Sequence, residues 1–172
     1  VPMSARPRQL ARIYLQNSGV ILTLVGQILS EYWGHHWVLT QIGATLVALA
    51  VSWHGLALFA LWRRAESKRF LPVVAAYVAS AFFLAVGATL GAFLATHPSH
   101  PRLLIAHVAA NIGGFVGLAA AGSLTILFPS IWRTKGINPH MSLSFTLLAL
   151  GVVTTVIGSA WNVPQAGLIV YC

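Results

Sequence analysis

Charge is what this sequence most lacks. Only 7% of its 172 residues are Asp, Glu, Lys or Arg, where a soluble globular domain carries about 25%. A chain so poor in charge cannot cover a globular surface in water, so its solvent is lipid. Acids are scarcer still: there is no Asp, and Glu31 and Glu66 are the two Glu. That removes paired-carboxylate acid–base chemistry and the acid that completes a Ser–His–Asp triad. It also leaves the apolar runs without the buried carboxylates that serve proton-coupled transporters as relays. Cysteine occurs once, as Cys172, which excludes an internal disulfide framework and a Cys-rich metal centre. Phosphate-binding loops and the HExxH zinc motif are missing as well.

What is present is apolar. Hydrophobic residues make up 58% of the chain, gathered into runs at about 12–32, 37–62, 70–96, 102–128 and 141–160, each meeting the roughly 20 residues a bilayer crossing needs. Backbone amides find no partner in hydrocarbon, so such runs cross as helices. The expected fold class is all-α: a polytopic transmembrane helix bundle with five full spans. Residues 166–172 read as part of a sixth, and the chain is expected to be a fragment of a longer one. Nine of the ten basic residues (Arg6, Arg8, Arg12, Arg63, Arg64, Lys68, Arg69, Arg133, Lys135) fall on one side of the membrane in this alternation, and Arg102 alone on the other. The positive-inside rule then sets the N-terminus in the cytoplasm, and the setting expected is a bacterial cytoplasmic (inner) membrane. The net charge of +8 is thereby a topology signal and implies no nucleic-acid partner.

Within the spans, a few polar residues stand out. Gln16, Thr23, Gln27 and Glu31 share one face of the first helix; hydrogen bonding to neighbouring helices is the plainer role, a quinone or cofactor contact the sharper one. On the second, Thr40, Gly43, Val47, Ala50 and His54 lie along one side. The third carries Gly87 and Gly91 and the fourth Gly113 and Gly117, both at the GxxxG spacing suited to close helix packing. A faint repeat runs through Leu24-Val25-Gly26, Ala85-Val86-Gly87 and Val156-Ile157-Gly158.

Ionisable residues inside a membrane are rare and mark functional sites, which singles out His54 and His107. On a helix His107, Asn111, Gly114, Leu118, Ala121 and Thr125 share one face, so an imidazole and an amide precede residues that permit close approach. Arg102, near the same surface, suits a haem propionate. His54 lies 17 residues beyond Trp37 and His107 five beyond Arg102, depths of about 25 Å and about 8 Å. One haem cannot easily take both, so as ligands they serve two levels, or each pairs with a residue on another helix or subunit. His35, His36, His97 and His100 fall in turns on the outer side, where imidazoles suit copper or zinc. His140, next to Pro139, reads as a surface residue.

The run from His107 through Asn111, Gly113, Gly114 and Phe115 to Phe128-Pro129-Ser130-Ile131-Trp132-Arg133-Thr134-Lys135 resembles a helix of haem-copper-oxidase-like membrane proteins. That group includes nitric-oxide-response haem-copper proteins and membrane segments linked to bacterial multicopper oxidases or nitrite reductases. The match covers about 30 residues; relatives often carry a second His where this chain has Ala109. The resemblance implies haem b or copper, with His107 the residue that carries over.

Three functions follow as expectations. The first is a haem-binding redox or electron-transfer module, with His107 an axial ligand, His54 a second-level ligand, and Arg102, Asn111 and Gly114 around the cofactor. Its partners would be a quinol, an outward-facing redox protein and other membrane subunits. The second is a non-catalytic anchor or assembly subunit whose small-residue faces serve only packing. The third is outward copper handling by His36, His97 and His100.

Overall fold

The computed structural model describes residues 6–34, 37–64, 70–133 and 140–161. Five helices form it: α1 (Arg6–Trp33), α2 (Trp37–Arg63), α3 (Leu71–Leu94), α4 (Pro101–Trp132) and α5 (Met141–Ala160). All five are long and apolar enough to cross a membrane, and the described residues include no strand. The described residues are all-helical, and the chain is a multi-pass membrane protein. The sixth partial span lies outside the described residues.

The fourth span differs from expectation at its end. Pro129 was a natural stop, yet α4 runs through it to Trp132 and ends where Arg133 takes the left-handed conformation at φ 52°. Proline removes the N–H that would bond to the Thr125 carbonyl, a loss that membrane-spanning helices tolerate. The second difference is larger. Between Ala109 and Gly117 the helix widens to the π form, whose hydrogen bonds span five residues instead of four.

Widening changes which residues face inward. Ala106, Ala110, Gly114, Leu118 and Gly122, four apart, are all buried. In a pure α-helix a four-residue step overshoots a turn by about 40°, so four steps would swing the stripe by about 160°. The π segment holds more residues per turn and keeps the stripe aligned. The expected face through Ala121 and Thr125 is accordingly displaced to Gly122.

Packing is inside-out relative to a soluble protein. Large apolar side chains such as Ile21, Leu56, Ile112 and Ile131 are exposed, while the interior is chiefly Ala, Gly and Val. Small residues let helix backbones approach, which is how helices associate in lipid. The tightest crossing is α1 on α2. A Cβ on Gly26 would reach within 2.6 Å of Thr40 Oγ1, and one on Gly43 within 2.6 Å of the Gly19 carbonyl. A second core joins α3, α4 and α5 through Val73, Ala76, Leu118, Met141 and Phe145. Among the described residues α1 packs on α2 alone, α2 on α1 and α3, and α3 on α2, α4 and α5. The helices thus form a row in which α1 and α4 do not touch.

Two of the repeated glycines play matching parts: Gly26 meets Thr40 on the partner helix of its hairpin, and Gly87 meets Asn111 on its own. Gly117 is different. A Cβ there would meet only the Ile112 carbonyl of its own helix, at 3.4 Å, so among the described residues Gly117 faces no neighbouring helix. We expect Gly117→Ala to leave thermal stability in detergent within about 0.5 kcal/mol; a loss of several degrees in melting temperature would contradict this placement.

Candidate functional site

The site is built where α3 and α4 come closest. A Cβ on Gly87 would collide with the Asn111 amide, and one on Gly91 would lie 2.9 Å from His107 Cε1. The GxxxG of α3 is therefore a slot for an imidazole and an amide rather than a plain helix seam. In that slot His107 Nδ1 lies 2.8 Å from the Gly87 carbonyl oxygen. A carbonyl only accepts, so Nδ1 carries the proton and donates it. Asn111 Nδ2 donates to the His107 carbonyl at 2.9 Å. Its 3.3 Å approach to Nδ1 then sets two donors side by side and is no bond. A neutral imidazole has one N–H, so Nε2 keeps its lone pair, and no described residue bonds to it.

The π segment begins two residues after His107 and takes in Asn111. Segments of this kind are frequent at functional sites. Here it carries Asn111 to Gly87 while Gly114 goes beneath the Phe83 ring, whose atoms a Cβ on Gly114 would strike. Gly114 gives clearance to a phenyl ring of α3, not to a bound group.

His107 and Asn111 line a cavity of about 800 Å³. It lies in the gap between α4 and α1, with α2 and α3 as its floor. Its α1 wall is Val20, Thr23, Leu24, Gln27, Ser30 and Glu31. Ser30 Oγ is buried there without a hydrogen-bond partner, an unusual state for a hydroxyl away from water. Polar groups therefore meet from two walls, while Leu84, Ala88, Leu94 and Leu104 keep the remainder apolar. A pocket of this size, mostly apolar with a few convergent polar groups, has the character of a small-molecule or cofactor site.

Three of the four residues in the α1 stripe, Thr23, Gln27 and Glu31, belong to this wall. Among the described residues they make no hydrogen bond to another helix: Thr23 Oγ1 donates to Gly19 of its own helix, 2.9 Å. Ser30 was not singled out in the sequence; its place one residue before Glu31 and three after Gln27 was the available signal. Gln16 stands apart from the cavity.

No protein-family model matches the chain, and neither the curated proteins nor the solved structures yield a match.

The other histidines are elsewhere. His54 Nδ1 lies 3.5 Å from Arg12 Nη1, and a guanidinium only donates. In the neutral ring the His54 proton is thus on Nε2, the opposite tautomer to His107. Arg12 precedes Gln27 by 15 residues on α1, about 22 Å along the axis, so the structure does not bring His54 and His107 together. His97 Nδ1 is 2.9 Å from Thr96 Oγ1 and 3.3 Å from the Phe93 carbonyl. His100 Nδ1 accepts from the Leu103 N–H at 3.3 Å and caps α4. Both rings serve the backbone of their turn. His35 and His36 lie outside the described residues, and among those described no group of three or more His, Cys, Asp or Glu is placed to hold a metal ion. Arg102 is exposed at the start of α4 and does not line the cavity.

Proposed function

We propose that this chain is a haem-binding redox module of a membrane, with His107 as an axial ligand through Nε2. One observation carries the reading: the His107 proton is held on Nδ1 by the Gly87 carbonyl, leaving the lone pair of Nε2 on a ring that lines a cavity. Ligating histidines are characteristically oriented by such an Nδ1–H bond to a carbonyl or carboxylate. The cavity volume and its apolar floor fit a large flat group beside that ring. His107 would hold the haem and Asn111 would fix the ring from behind through the helix backbone. Bound haem would supply one-electron chemistry. Gln27, Ser30 and Glu31 would offer hydrogen bonds from the opposite wall. His54, with its proton on Nε2, is not part of this centre.

The same bond supports the second reading, a non-catalytic anchor in which His107 only ties α4 to α3. The nine basic residues on one side favour a cytoplasmic N-terminus, which would open the cavity end at Glu31 and Trp37 toward the outer face of a bacterial inner membrane. A reduced-minus-oxidised absorption spectrum of the detergent-purified chain, with iron and copper analysis of the same sample, decides between these readings. We expect a Soret band and stoichiometric iron. A blank spectrum without iron would leave the anchor.

A further inference from the structure

A second polar cluster lies on the lipid-facing side of α1 and α2, away from the cavity. Arg12 is half-buried there, among exposed Leu10, Ile13, Tyr14, Trp53 and Leu56. Its Nε donates to the Arg8 carbonyl at 3.4 Å, its Nη1 faces His54 Nδ1 at 3.5 Å, and its guanidinium carbon stands 5.7 Å from the centre of the Trp53 ring.

A guanidinium has five N–H donors in a planar fork. Two are met by those contacts, and among the described residues three have no acceptor and no carboxylate neutralises the charge. A cation on a span helix is normally paired or drawn to the headgroup level. Neither a neutral imidazole nor an indole face supplies the missing negative charge. The His54 proton on Nε2 adds a donor on an exposed ring. Arginine forks match phosphate oxygens two at a time, and the apolar surroundings match acyl chains.

We propose that Arg12, with His54 and Trp53, forms a binding site for the phosphate of an anionic phospholipid in the groove between α1 and α2. Arg12 bonds the phosphate oxygens, the His54 Nε2–H adds a further donor, and Trp53 holds the guanidinium flat. This site is independent of any cofactor at His107.

Native mass spectrometry of the full chain, taken from mixed vesicles of phosphatidylglycerol and phosphatidylcholine in equal amounts, tests it. We expect wild type to retain phosphatidylglycerol preferentially and Arg12→Gln to lower that preference about tenfold, the loss of one charge-assisted bond. Arg12→Lys keeps the charge but not the fork and should fall between them. Arg8 contributes only its backbone carbonyl, so Arg8→Gln should behave as wild type, with helix content by circular dichroism unchanged in all three. Equal losses in Arg8→Gln and Arg12→Gln would overturn the site in favour of diffuse basic charge, and unchanged retention in Arg12→Gln would overturn it outright. Inorganic phosphate added to lipid-free detergent sample should leave the melting temperature unchanged. A phosphate-dependent rise that Arg12→Gln abolishes would assign the groove to a soluble phosphate and reject the lipid.

Discussion

Replacing His107 by alanine is expected to remove haem from the purified chain, by about tenfold or more in retained content. The same change deletes the bond to the Gly87 carbonyl, and interhelical hydrogen bonds in membranes contribute about 0.6–2 kcal/mol. Loss of haem and loss of packing would then arrive together, so His107→Gln is the sharper variant. A glutamine amide can donate to the Gly87 carbonyl and preserve the α3–α4 contact, but it is a poor axial ligand. We expect His107→Gln to keep a near-native melting temperature and lose the Soret band, and His54→Ala to keep that band. Wild-type haem content in His107→Gln would remove His107 from the centre. A chain without haem in which His107→Gln is stable and His107→Ala is not would establish the anchor role.

The second large effect is expected at Gly43. A Cβ at this position falls on the Thr23 backbone N and lies within 2.6 Å of the Gly19 carbonyl, so the clash is with backbone and cannot be relieved by turning a side chain. Overpacking of this kind costs about 1–3 kcal/mol. Because among the described residues α1 packs on α2 alone, that one seam is what holds it in place. Gly43→Val is expected to lower the melting temperature and to free α1. The wall with Gln27, Ser30 and Glu31 would leave with it, and a ligand held in the cavity would be lost although His107 is untouched. A Gly43→Val protein with native melting temperature and cofactor content would show that α1 does not form the wall. The contrast with Gly117→Ala, expected to be silent, separates glycines that face a neighbouring helix from those that do not.

His107 and Asn111 were readable as a pair because four residues on one helix share a face under the α or the π spacing. Gly114 was read as clearance beside them, but its missing Cβ is filled from another helix by Phe83. Periodicity gives a face and cannot say what covers it. Gly87 and Gly91 show the same limit: their spacing signalled close approach, and only the neighbour reveals that an imidazole and an amide do the approaching.

The π segment was hidden for a different reason. Ala109 to Gly117 is compatible with either helix, since alanines and glycines impose little on the backbone. The wider segment packs against α3 and α5, neighbours that no local pattern reveals. Likewise the α1 stripe announced a polar face, while its meeting with His107 across the cavity depends on how α2 and α3 turn between them.

The sequence by itself determined the solvent and the spans, because too few charges and five long apolar runs leave helices in lipid as the one arrangement with every backbone amide bonded. It determined the uneven placement of basic residues too. Only the tertiary structure decided which nitrogen of His107 and of His54 carries the proton, since that rests on a carbonyl of α3 for His107 and a guanidinium of α1 for His54. Those partners are 20 and 42 residues away in the chain, and packing, not local pattern, brings them within hydrogen-bonding reach.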